Sequence, residues 1–196
     1  YNVNVKIDGT FSEWQSVGTR YIDNRDDTAA RDHFGFGYKN ISLKNETGRN
    51  DIIISKVAMD GKNLYFYVMT RGKISSHTDP MWMRLFIDVT GSDKPSWEGF
   101  QFVLNNKVKD ASTTYLQTTT GGWNWGGDQE ISYALNGSEM ELSIPLEKLG
   151  ISDPNDFTID FKWADNNIAS GDIMECMRDG DAAPGGRFRY RYIFKK

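Results

Sequence analysis

Residues 157–166 read FTIDFKWADN, and residues 180–194 read GDAAPGGRFRYRYIF. The first run alternates strictly. Phe157, Ile159, Phe161 and Trp163 fall on one side and Thr158, Asp160 and Lys162 on the other, the period-two pattern of a strand with one face in a core. The second run repeats it, setting Phe188, Tyr190, Tyr192 and Phe194 against Arg187, Arg189 and Arg191. The loop between them is dense in Asp, Asn and Gly, a composition that makes turns or holds a cation. Two aromatic-backed strands joined by an acidic loop predict an all-β fold, an antiparallel β-sandwich of jelly-roll type.

Working outward, the same alternation recurs. Met140, Leu142 and Ile144 predict an inward face, with Glu139, Glu141 and Ser143 outward; residues 131–135 pair with this run around Asn136-Gly137, a dipeptide suited to the positive φ of a type I′ turn. Residues 51–59 and 63–70 predict a second hairpin closed by Asp60-Gly61-Lys62. There Leu64, Phe66 and Val68 alternate with Tyr65, Tyr67 and Met69, so both faces are expected to be covered. Strands are also expected at Val3–Ile7, Phe34–Leu43 (thinned by Gly35 and Gly37), Met83–Val89, Phe100–Leu104 and the Thr-rich stretch before GGWNWGG. Pro145–Gly150 is one helical turn stopped by glycine. About ten short strands with regular turn signals and at most one or two helical turns fit a sandwich.

A chain of 196 residues suffices for one domain spanning 1–196 with a full core. The net charge of −4 argues against a nucleic-acid-binding surface. No run reaches the roughly 20 apolar residues of a membrane helix. The single cysteine, Cys176, excludes an internal disulfide framework. The start Tyr1-Asn2-Val3 lacks Met, which suggests a module excised from a longer protein. Asn40, Asn45 and Asn136 open glycosylation triplets, the number an Asn-rich chain gives by chance.

Catalytic signatures are missing from the sequence. There is no G-x-S-x-G and no H-E-x-x-H; His33 and His77 fall in expected loops, and Cys176 has no Cys-x-x-Cys partner. The chemistry-bearing candidates are of two other kinds. Asp23, Asp26, Asp27 and Asp32 crowd one loop, with Asp51 following Asn50 further on, and they offer the oxygen ligands that calcium prefers. Asp165, Asp172, Asp179 and Asp181 form a second acidic series, although Asp181 can equally pin its loop through Arg187. Trp123 and Trp125 alternate within a Gly-rich segment, so both can project from one face and stack on the C–H face of a sugar ring. Trp97 is a second-rank rim candidate, and Trp82, just before a strand, fits either a ligand contact or the core; Trp14 and Trp163 are assigned to the core.

The order of motifs resembles family 9 carbohydrate-binding modules and the wider DOMON-like sandwich group, in the branch found on large secreted bacterial polysaccharide-handling proteins. The carrying motifs are Ile7-Asp8-Gly9 with Glu13-Trp14, Asn63-Leu64-Tyr65-Phe66, Leu85-Phe86-Ile87-Asp88, Leu142-Ser143-Ile144-Pro145-Leu146 with Leu149-Gly150, and Phe161-Lys162-Trp163-Ala164-Asp165-Asn166. The resemblance implies an antiparallel sandwich, structural calcium, and a sugar site on a polar face or rim of an extracellular or cell-surface module. Arg84 and Ala164 stand where the sugar-binding members carry an acidic residue and an amide, so Arg84, Lys162 and Asp165 are the polar set this chain offers to a glycan. Two further readings belong beside it: an assembly module that packs on a neighbouring domain without binding sugar, and a haem domain using Met69, Met81, Met83 or His77.

Overall fold

The hairpin at residues 52–70 forms because two runs rich in β-branched and aromatic residues meet across a turn that an aspartate closes. Asp60 Oδ1 accepts hydrogen bonds from the amides of Lys62 and Asn63 at 2.8 and 2.7 Å, and Gly61 supplies φ +91°. The computed structural model describes residues 3–28, 30–35, 38–46 and 48–196, with 38–41 by backbone alone. Tyr1-Asn2, Gly37 and Thr47 of the second glycosylation triplet lie outside the described residues.

Among the described residues thirteen strands follow one another: β1 Tyr21–Ile22, β2 Arg31–Gly35, β3 Tyr38–Asn45, β4 Ile52–Met59, β5 Asn63–Thr70, β6 Arg84–Val89, β7 Phe102–Val108, β8 Thr113–Thr119, β9 Trp125–Asn136, β10 Glu139–Pro145, β11 Asp156–Asp165, β12 Asp181–Ala183 and β13 Tyr190–Lys195. One short helix, α1 Glu175–Arg178, and 3-10 turns at Ser12–Ser16 and Leu146–Leu149 complete the elements. The main sheet runs β1-β4-β5-β10-β9-β8-β7-β6-β11-β12, with β13 also on β11, while β2 and β3 pair separately. Every described pairing is antiparallel.

The sheet folds back on itself into a nearly closed sandwich. Its corner is the long strand β9, whose residues 125–132 pair with β8 and whose residues 133–136 pair with β10, a strand that switches layers. Its two ends approach where the Tyr21 hydroxyl donates to Arg191 O at 2.9 Å and the Tyr190 hydroxyl to Ile22 O at 3.0 Å. The core between the layers contains Phe66, Leu85, Ile87, Phe102, Leu104, Leu142, Ile159, Phe161 and Trp163, the residues on the apolar side of each alternation.

Two smaller apolar clusters lie outside this core and account for the departures from expectation. Residues 3–7 form no strand; instead Val5, with Trp14 and Val17, packs on Ala58, Tyr65 and Tyr67. That segment buries the outer face of β5 and β10, so Glu141 is fully buried where solvent was expected. On the opposite layer, Ile168, Ile173 and Cys176 cover Phe86, Val103 and Ala164. Lys162 and Arg84, on what reads as a solvent face of this layer, are buried as well. Phe188 precedes β13 and is 78% exposed, so the expected aromatic face of that strand begins at Tyr190. At the β9–β10 turn only Gly137 has positive φ, which differs from the type I′ turn expected there, where both central residues are left-handed.

Candidate functional site

The outer face of β6–β9 combines aromatic and planar polar side chains. Alternation sends Leu85, Leu104 and Leu116 into the core and leaves Arg84, Phe86, Val103 and Gln117 on the outside. Strand register aligns Phe86 with Val103 and Val103 with Gln117. A bulge in β7 at Asn105, φ +62°, turns that amide inward, where its Nδ2 donates to Met83 O at 2.7 Å. Asn106 then faces outward. A second irregularity, between Leu116 and Thr118 of β8, accompanies Gly127 (φ +73°) and Asp128 on β9.

Together these residues form a connected polar row. Arg84 Nη1 reaches Asn106 Oδ1 at 3.5 Å, Asn106 Nδ2 donates to Gln117 Oε1 at 2.8 Å, and Gln117 Nε2 donates to Asp128 Oδ1 at 2.8 Å. Lys107 closes the row by an ion pair with Asp128 and lies 5.0 Å from the Tyr115 ring. Arg84 itself is 3% exposed. Burial lowers its pKa to about 10, and its other terminal nitrogen donates to Asn167 O.

The tryptophans border this row. Trp123 and Trp125 are half-buried, perpendicular to each other at 5.8 Å. Trp123 also packs against Trp97 at 4.7 Å, beneath the Arg84 guanidinium at 5.4 Å, and close against Gly171, where a Cβ would meet its ring at 2.5 Å. The Trp125 indole nitrogen is buried without an acceptor among the described residues. Trp97 is buried and donates to Gly171 O at 2.8 Å. Trp82 belongs to the main core and donates to Ser75 O at 3.0 Å.

The remaining polar candidates serve internal contacts. Lys162 is fully buried, its ammonium donating to the carbonyls of Pro184 and Phe188, and desolvation lowers its pKa. Asp165 is fully buried and accepts from Arg49 Nε (2.9 Å), Asn50 Nδ2 (3.0 Å) and the Met83 amide (2.9 Å). Met69 and Met83 sit in different apolar clusters, and the His77 ring lies edge-on to Trp82.

The acidic candidates separate into two groups. Asp26 is exposed and ion-paired with Arg71; Asp32 is exposed on β2 and accepts from Ser42 Oγ at 3.2 Å. Asp23 and Asp27 instead turn inward to meet Asp181 on β12, with ligand oxygens of all three within 4.8 Å of one another. Asp51 is buried below the same turn, and its Oδ2 accepts from the Asp26 amide at 2.9 Å. Asp181 is held by the amides of Ile52 (2.6 Å) and Ala182 (2.7 Å). Desolvation first, then mutual repulsion, pushes the Asp23 carboxyl up to about 6 and Asp181 up to about 8, and Asp27 moves the same way.

Sequence reading named the tryptophans, Arg84 and all six of these aspartates, Asp181 among its second acidic series, but not Asn106, Gln117 or Asp128. Gln117 carried a signal, since it alternates with the core residue Leu116. Asn106 shares the parity of Phe102 and Leu104 and faces outward only because of the bulge at Asn105. Asp128 sits at the matching irregularity of β9, and the alternation announces neither. By fold and face, the chain is an antiparallel all-β sandwich domain with an aromatic and amide-lined outer surface. Compared with known proteins, it matches no family model, no curated sequence and no solved structure. No helix among the described residues is long and apolar enough to cross a membrane.

Proposed function

We propose that this domain is a non-catalytic carbohydrate-binding module of a secreted or cell-surface bacterial protein, binding an oligosaccharide or polysaccharide on the outer face of β6–β9. The observation that carries this reading is the hydrogen-bonded row Asn106–Gln117–Asp128, its two outer members exposed and backed by the buried Arg84 and Gln117, bordered by Trp123 and Trp125. Sugar hydroxyls donate and accept at once, and planar amide and carboxylate groups meet them in pairs. Indole rings beside such a row take up the apolar C–H faces. The resemblance of its motif order to family 9 modules is in keeping with the same reading. Binding by surface complementarity requires neither a nucleophile nor a general base on this face.

Calorimetry and affinity electrophoresis across a panel of soluble polysaccharides and oligosaccharides test it. Binding is expected for at least one glycan and is expected to weaken in Gln117→Ala and Trp125→Ala, both checked for an unchanged β spectrum. Silence across a broad panel, or binding indifferent to both substitutions, would overturn the reading.

A further inference from the structure

Granting the glycan reading, on which this rests, we infer that the ligand lies along β8, with Tyr115 as a second stacking platform across the polar row from Trp125. The ligand is then a stretch inside a polysaccharide chain, at least three sugar units long, and not a single terminal sugar.

Tyr115, Gln117 and Thr119 alternate on the outward side of β8, since Leu116 between them points into the core. The strand keeps this alternation because the extra residues at its two irregular pairings belong to its neighbours. Residues 104–108 of β7 oppose 114–116 of β8, and residues 126–129 of β9 oppose 116–118. Trp125 pairs with Thr119, so Tyr115 stands four residues further along, about 13 Å at the rise of an antiparallel strand. Gln117 lies midway, with Asn106 and Asp128 on either side. The order along the strand is aromatic, planar polar, aromatic. One sugar ring cannot touch both ends. A run of three can rest its apolar faces on the two rings and turn its middle hydroxyls to the amides and the carboxylate.

Tyr115 differs from the tyrosines that serve packing. It is half-buried on this face, and its hydroxyl makes no hydrogen bond among the described residues. The hydroxyls of Tyr21, Tyr65, Tyr133 and Tyr190 all donate to internal acceptors. Lys107 Nζ lies 5.0 Å from the Tyr115 ring centre and also pairs with Asp128, which braces the ring beside the polar row. The path past both rings is open. Beyond Tyr115 the next outward residues are Thr113 and Ser132, opposite each other and too small to wall off a chain. On the Trp125 side, a Cβ added at Gly121, Gly122, Gly126 or Gly127 would meet nothing within 4 Å. A site that grips a chain end needs a wall across the path, and these positions supply none.

The test is calorimetry on the intact chain with soluble β-glucan, xylan, mannan and galactan and with their oligosaccharides of one to six units. For the polymer that binds, the monosaccharide should give no detectable heat, and affinity should climb until at least the trisaccharide. A hexasaccharide reduced with borohydride at its terminal aldehyde should bind as the untreated one does. Tyr115→Ala should weaken hexasaccharide binding by about tenfold, the order that one stacked ring contributes, while Tyr115→Phe keeps it. Gln117→Ala should weaken binding at every length that binds. Should Tyr115→Ala fail to fold, the length series on the parent chain decides the matter. Full affinity at one or two units, loss of binding on reduction of the end, or indifference to Tyr115→Ala while Gln117→Ala still weakens binding would each overturn the inference and leave the glycan reading standing. Silence of every polymer and oligosaccharide would overturn both.

Discussion

The indole nitrogen of Trp14 donates to Oε2 of Glu141 at 2.8 Å, joining positions 127 residues apart in the chain. The other oxygen, Oε1, accepts from the amides of Asp8 and Gly9 at 3.1 and 3.0 Å. One buried carboxylate thus anchors the whole N-terminal segment onto β10. Burial pushes its pKa up, while these three donors pull it down.

Glu141→Ala therefore leaves a buried indole N–H and two amides without their acceptor. At about 1–3 kcal/mol for each unsatisfied buried group that water cannot reach, a total near 3 kcal/mol is expected. For a chain of this size that lowers the thermal midpoint by roughly 6–12 °C. Differential scanning calorimetry measures it, and a drop under about 2 °C would show that the N-terminal segment is not held this way.

Gly180 is expected to resist any side chain. Its φ is +54°, and a Cβ there would lie 2.1 Å from the carbonyl oxygen of Asp165, a backbone atom that cannot swing aside. The left-handed conformation costs roughly 1–2 kcal/mol for a residue with a Cβ, and overpacking typically adds about 1–3 kcal/mol. Gly180→Ala should thus lose about 3 kcal/mol in urea unfolding, whereas Gly61→Ala, with positive φ but open space around it, should lose only the first part.

The alternation of residues 157–163 revealed β11 and its core face because a strand's periodicity is written locally. What covers the other face is not. Lys162 and Arg84 read as solvent-facing, yet both are buried on the layer whose outer side Ile168, Ile173 and Cys176 cover, residues of a loop and the single-turn helix α1, too short to show a period. Glu141 was misplaced for the same reason, since residues 3–17 pack onto it without forming a strand. The acidic cluster was half legible: the density of aspartate in residues 23–32 marked the turn, but which carboxylates converge depends on β12 returning beside β4. Asp26 and Asp32 share that composition and point to solvent.

Alkaline unfolding should begin with the buried phenols. Desolvation pushes Tyr21, Tyr65, Tyr133 and Tyr192 up to about 12, and Tyr67 and Tyr190 higher still. An unfolded tyrosine ionises near its ordinary value of about 10. The unfolded state thus loses protons first, so the stability these groups contribute is intact below pH ~10 and is lost as pH rises toward about 12. Tyrosinate absorbance and circular dichroism followed together should change in one coincident transition across that window. Full tyrosinate absorbance with an intact β spectrum would show that these rings are open to solvent.

Asp165→Asn separates a structural role from a ligand contact. The carboxylate is fully buried and satisfies Arg49, Asn50 and the Met83 amide at once, tying the end of β11 to the segments that enter β4 and β6. Desolvation raises its pKa against the pull of the Arg49 side chain, so the ionised form depends on that partner. Replacing it with an amide removes the charge that faces Arg49 and turns an N–H₂ toward a donor. Breaking one side of a buried pair costs about 3–5 kcal/mol, and a loss of that order is expected in chemical denaturation. Because the hydrogen bonds of Asp165 go to Arg49, Asn50 and Met83 rather than to Asn106, Gln117 or Trp125, the glycan affinity of whatever folded fraction remains should equal that of the parent chain. Affinity lost without stability would instead place Asp165 at the binding face.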